Sequence, residues 1–148
     1  MSITTPIHWF NNVTSNIPES LVALTARFAA AVPFWRSART KVDGWDFWNV
    51  TDITVFIFEN EFALPLLSPK VAATLASIGE HVLPVLLVLG LLTRFGALGL
   101  IVVTAVIQFL VFPGSWSVHI LWFAPLLYLL ARGPGALSLD RALGWEKA

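Results

Sequence analysis

Four stretches of the chain, roughly residues 19–37, 70–92, 95–112 and 116–132, are apolar over lengths close to the ~20 helical residues that cross a hydrocarbon core of about 30 Å. This pattern predicts an all-α membrane protein, a bundle of four transmembrane helices. Asn16, Pro18 and Glu19 provide a start for the first helix: an Asx cap, an early proline and an acid in the first turn. Pro33, near its end, is a position at which it can kink. The second and third stretches are joined by "LLTRFG", too short to recross, which predicts an antiparallel hairpin with Arg94 at the water interface. Between the third and fourth stands "FPGSW": Pro113-Gly114 breaks the helix, and Trp116 suits an aromatic belt. Beyond Arg132 comes "GPGALSLDRALGWEKA", a Gly-Pro-Gly stop and a short amphipathic segment with Asp140 as its expected cap.

The connection from 38 to 69 breaks this regularity. Trp45, Phe47, Trp48, Ile53, Phe56, Ile57, Phe58 and Phe62 alternate with acids that include Asp46, Asp52, Glu59 and Glu61. Such a mixture predicts an amphipathic helix or re-entrant piece in the headgroup zone between helices 1 and 2. It either caps the bundle or acts as a docking or gating lid.

Composition supports one membrane domain over residues 1–148: 57% of the residues are hydrophobic, 12% are charged, and the mean hydropathy is +0.77. Nine basic residues balance nine acidic ones, so no basic field exists to draw nucleic acid. Without cysteine there is no disulfide, thiolate metal site or thiol relay. The first eighteen residues lack the basic, apolar and small-residue regions of a cleaved signal, so the first span is expected to direct its own insertion. Arg36, Arg39, Lys41 and Lys70 flank one side of the bundle and Arg94, Arg132, Arg141 and Lys147 the other, and this count ties. Both termini are expected on one face of the cell inner membrane, with the cytoplasmic face favoured by the acid-rich loop.

Five polar residues fall within the apolar stretches: Arg27, Glu80, His81, Gln108 and His119. Ionisable groups at that depth cost several kcal/mol unless paired, so each is a candidate for function. Arg27 shares a helical face with Ala23, Ala30 and Ala31, and Glu80 one with Ala73, Ala76 and Ser77. Small faces let helices approach closely, so Arg27 and Glu80 are expected to meet as an ion pair. Whether that pair is structural or leaves Glu80 free to exchange a proton stays open. Pro84 supplies no N–H to the carbonyl of Glu80. His81 lies about 100° round the helix, toward Ser77 and Val85. Glu80 and His81 are the candidate proton-exchanging residues.

Gln108 and His119 flank the short "FPGSW" connection and are expected to face each other. His119 shares a face with Trp122 and Phe123, a wall against which a planar ring could lie or which could simply anchor the helix at the interface. Arg27, Gln108, His119 and Trp122 are the candidate cofactor-binding residues. Two histidines and Glu80 could in principle ligate zinc, iron or copper, but no spacing such as HExxH is present, and no metal site is assigned.

The run "AATLASIGEHVLPVLLVLGLLTRFGALGL", together with the arginine in the first stretch and the ending "GPGALSLDRALG", resembles the DoxX family over about residues 20–143. The matching positions are Arg27, Glu80, Gly90, Arg94, Gly133, Gly135 and Asp140; His81 and the long aromatic-acidic segment depart from the pattern. The resemblance implies a four-helix integral membrane protein. The family takes its name from a subunit of a thiosulfate:quinone oxidoreductase, and other members are associated with membrane redox assemblies, oxidative stress or copper handling. Two functions therefore stand open. One is a quinone-facing or accessory subunit of a membrane redox system, with quinone as its cofactor. The other is a non-enzymatic accessory in copper or metal stress, or a scaffold for a membrane partner. Either implies contact with the lipid bilayer and with a soluble or membrane protein partner, and self-association stays open.

Overall fold

A computed structural model describes residues 4–146, so Lys147, counted above among the flanking charges, lies outside the described residues. The elements are α1 (Thr4–Thr14), α2 (Glu19–Arg39), α3 (Asp52–Asn60), α4 (Pro69–Leu89), α5 (Thr93–Val106) continued by a π-helical turn (Ile107–Val111), α6 (Trp116–Arg132) and α7 (Leu139–Ala142). The four expected long helices are therefore present within a few residues of their expected bounds. The described residues hold no strand, only one isolated bridge between Val42 and Val50. α4 and the continuous α5–π segment are each long and apolar enough to cross a membrane. α1 and α2 qualify only as a bent pair, and α6 is apolar but shorter.

The apolar pattern did not point to α1, whose 11 residues are too few to register as a span. Helical spacing gathers Pro6, Ile7, Trp9, Phe10 and Val13 on one half and His8, Asn11 and Asn12 on the other. None of its residues is buried, and it is bent by 69° from α2. Amphipathic helices of this kind are stable at a membrane surface. Asn16 closes this helix instead of opening the next: its Nδ2 donates to the Asn12 carbonyl at 2.6 Å. α2 starts from an extended Pro18 without a side-chain cap, contrary to the Asx cap expected there, and it continues through Pro33 to Arg39.

α2 packs against α4 and α6, and α5 packs against the same two helices. Their shared core contains Ala26, Ala30, Ala31, Phe34, Leu87, Ala97, Leu100, Leu126 and Leu129. The alanines of α2 admit close approach, and leucines from the other helices fill the space between. α3, capped by Thr51 Oγ1, packs on α4 by setting Phe58 against Ala72 and Ala73.

The turn between α4 and α5 shapes one end of this assembly. Gly90 adopts φ +66, and Leu91 N–H donates back to the Leu86 carbonyl at 2.9 Å, closing α4 in a left-handed cap. A Cβ at Gly90 would stand 2.5 Å from Ser138 Cβ and 3.0 Å from Arg27 Cζ. Asp140 does not cap its own helix as expected, a role Ser138 fills by accepting from Arg141 N–H. The Asp140 carboxylate instead accepts from Leu92 and Thr93 N–H at 2.7 and 2.9 Å, and so caps α5. Its own N–H donates to the Gly90 carbonyl at 2.8 Å.

Arg27 is built into the same end. Nε donates to the Leu87 carbonyl at 2.7 Å, Nη2 to the Val88 carbonyl, and Nη1 to the carbonyls of Pro134 at 3.3 Å and Leu137 at 2.5 Å. The expected Arg27–Glu80 pair is thus not formed. Leu87 lies seven residues beyond Glu80, about 10 Å along a helix rising 1.5 Å per residue. Each residue's place within its own apolar stretch predicts equal depth, but antiparallel packing sets the register differently. The Gly-Pro-Gly segment then folds under the helices and presents carbonyls to the guanidinium.

Replacing Arg27 by Leu would strand buried carbonyls, and loss of stability of ~3 kcal/mol or more is expected, seen as a lower unfolding midpoint in detergent. Gly90→Ala should also lower the midpoint, since a left-handed φ and the contact with Ser138 both oppose a side chain there.

Candidate functional site

The opposite end of the assembly carries the remaining polar residues. Beyond α2 the chain turns back over α4, and Thr51 N–H and Thr54 Oγ1 both donate to the Lys41 carbonyl, at 3.0 and 3.1 Å. This small closed loop directs the Lys41 side chain inward. Nζ reaches Glu80 Oε2 at 2.6 Å and is also bonded to Ser37 Oγ at 2.9 Å and the Ser37 carbonyl at 3.2 Å. Lys41 and Glu80 are 8% and 3% exposed, so the partner of Glu80 is a buried lysine from the loop and not Arg27. Its place in the sequence makes Lys41 a flanking interfacial charge, and the structure differs. Its four-carbon stem allows an ammonium to be carried away from its Cα level, in reverse of the usual outward reach, and only the spacing to Ser37 hinted at this.

His81 sits one residue on, turned to another side as helical geometry expects. Its Nδ1 lies 2.7 Å from the Ser77 carbonyl, an oxygen that can only accept, so Nδ1 is the donor there and, in the neutral ring, Nε2 is the acceptor nitrogen. Nε2 is buried and has no hydrogen-bond partner. Phe47 stacks on the ring at 5.4 Å and 29°, and Trp35 meets it edge-on at 5.4 Å. Phe47 is held by its own carbonyl, which accepts from Ser77 Oγ at 2.9 Å. The aromatic-acidic segment therefore covers this histidine. Trp45 extends the cluster to the surface, 6.5 Å from Trp35, with the Arg39 guanidinium 4.7 Å from its ring.

An open apolar groove of about 320 Å³ runs between α2 and α4, lined by Phe28, Val32 and Trp35 on one side and Pro84, Val85 and Val88 on the other. Both sets recur at three- and four-residue intervals. Trp35 ends the α2 row, and His81 would be the next position of the α4 row. The groove thus leads toward the Trp35–His81 contact.

The second expected cluster forms. His119 Nδ1 stands 2.7 Å from Gln108 Oε1, and Gln108 Nε2 donates to the Pro113 carbonyl at 2.7 Å. That carbonyl fixes the amide orientation, which makes His119 Nδ1 the donor. The π-helical turn adds a residue per turn at this point, and Gln108 is its buried member. His119 lies 5.0 Å from Trp122, which in turn meets Phe34 edge-on at 5.4 Å. Neighbouring residues of α2, Phe34 and Trp35, thus serve the two clusters separately. Among the described residues no hydrogen bond or ring contact joins them, and no three His, Cys, Asp or Glu side chains are grouped to hold a metal ion. Arg27, a candidate for cofactor binding, has its guanidinium taken up by four carbonyls at the other end.

Separating Lys41 from Glu80 should cost ~3–5 kcal/mol, because either single change leaves a buried charge alone. Lys41→Met and Glu80→Leu together should recover most of that loss, whereas Arg27→Leu with Glu80→Leu should show no such recovery. A double-mutant cycle on unfolding midpoints checks both pairs.

No curated protein and no solved structure shows a match. The model of the DoxX family matches residues 22–113, a stretch that runs from α2 to the end of the α5–π segment and includes Arg27, Glu80, His81 and Gln108. The chain is an integral membrane protein of the DoxX family.

Proposed function

We propose that this chain is the membrane subunit of a redox assembly and that its four packed helices cross the cell inner membrane, holding the ring of a lipid-soluble quinol at the α2–α4 groove. The observation that carries the reading is the buried, unpartnered Nε2 of His81. An imidazole nitrogen kept from water, enclosed by Trp35 and Phe47, and locked as an acceptor by the Ser77 carbonyl is suited to receive a ring hydroxyl. The groove is of the size of small-ligand pockets, which start near ~300 Å³, and its walls are apolar. Trp35 forms the partition between groove and imidazole, so rotation of its indole is the step that admits the ring.

A bound quinol supplies the electrons and protons; the protein's part is to orient the ring and to accept its hydroxyl at Nε2. Glu80 is held by Lys41 and acts through the charge it places beside His81. The electrons leave on a protein partner, for which the exposed rings of Trp45 and Trp48 over this site offer a surface. The cluster of Gln108, His119 and Trp122 braces the helix ends at the same pole. A metal-handling role is favoured by no observation among the described residues.

The test is binding in nanodiscs of a short-chain quinol analogue, followed by quenching of tryptophan fluorescence. Saturable quenching is expected, with affinity falling at least tenfold, about 1.4 kcal/mol, in His81→Phe at unchanged unfolding midpoint. Absence of saturable binding, or equal binding by the variant, would end the proposal.

A further inference from the structure

A second site lies at the other end, away from His81. Where α2 begins and α6 ends, a cavity of about 250 Å³ is lined by Glu19, Tyr128, Arg132, Arg141 and Glu146 among others. The C-terminal segment closes it from below, as Ala136 N–H donates to Ser20 Oγ at 3.3 Å. Tyr128 Oη is buried there without a hydrogen-bond partner, although a phenol so placed ordinarily finds one. Glu146 is occupied, since Arg94 holds both its oxygens, at 2.5 and 3.2 Å. Among the described residues Arg132 and Arg141 form no ion pair, so two guanidiniums and one hydroxyl border the cavity with their donors free.

Tyr128 also lines a second, apolar groove, of about 470 Å³, with Ile17, Leu21, Val22, Thr25 and Pro125. This groove descends between α2 and α6 from the level at which both helices end. One tyrosine therefore joins a polar cavity at the helix termini to an apolar groove along the helices.

We infer that this pair of cavities binds one glycerophospholipid, its phosphodiester on Arg132, Arg141 and the Tyr128 hydroxyl and one acyl chain along the α2–α6 groove. Guanidiniums match phosphate oxygens through paired N–H donors, and a hydroxyl adds a third direction of approach. Glu19, unpaired among the described residues, faces the amine or hydroxyl of the headgroup. A free phosphate would satisfy the polar half alone and leave the groove without an occupant, which favours the lipid.

The full chain, reconstituted in vesicles of phosphatidylethanolamine and phosphatidylglycerol in equal parts and transferred to detergent, should retain one phospholipid by native mass spectrometry. The retained fraction should fall about tenfold in the double variant Arg132→Gln, Arg141→Gln. Tyr128→Phe, which removes a single oxygen and keeps the packing, should lower it several-fold at unchanged unfolding midpoint. Equal retention by wild type and Tyr128→Phe overturns the assignment, as does absence of retained lipid from the wild type. Stabilisation by inorganic phosphate alone as large as that given by the vesicle lipid assigns the site to free phosphate and overturns it as well.

Discussion

The arrangement depends first on a buried guanidinium that must find hydrogen-bond acceptors. Arg27 reaches four carbonyls in two separate parts of the chain, the last turn of α4 and the segment after α6. The last carbonyls of a helix lack partners within it and carry partial negative charge, so the cation lies where the field favours it. This fixes the depth of α2 against α4 and ties the C-terminal segment beneath them. Gly90 is the residue that makes room, with Arg27 on one side and Ser138 on the other. Asp140 completes the junction by capping α5, so a single corner joins α2, α4, α5 and the end of the chain.

Against this rigid end stands one built differently. There the chain forms a loop and the short α3, and its polar residues are held by side chains and by that loop. Lys41 is brought to Glu80 by backbone closure, and Phe47 is brought to His81 through Ser77. An apolar groove leads toward this end, and the imidazole nearest to it keeps an unused acceptor. The contrast lies between two groups: Arg27 is bonded to four carbonyls at one end, whereas at the other Nε2 of His81 is buried with no hydrogen-bond partner. Buried polar groups left unpaired are costly, and such a cost is tolerated where something is meant to bind.

The helices were legible because apolar length and Pro-Gly breaks act locally, and the Gln108–His119 contact because the two residues straddle a connection of a few residues. Membership in the DoxX family was legible from the run around Glu80 and the glycines and arginine that follow. The partner of Glu80 was not, because Lys41 belongs to a loop whose closure is set by bonds to Thr51 and Thr54, and no periodicity reports that. The partners of Arg27 were hidden for a related reason: backbone carbonyls have no sequence signature. Asp140 was recognised as a capping residue but assigned to the wrong helix, since a carboxylate serves whichever free N–H groups tertiary packing places before it. α1 leaves no apolar-length signal, because 11 residues do not reach spanning length.

The reach of Arg27 also sets an order of events during synthesis. Its acceptors at Pro134 and Leu137 lie 107 and 110 residues later in the chain. At ordinary translation speeds that is an interval of about 5–20 s. Through that time Arg27 lacks two of its four acceptors. The bonding of Arg27 is completed only when the segment after α6 has been made, so residues made late help to set the depth of a helix made early.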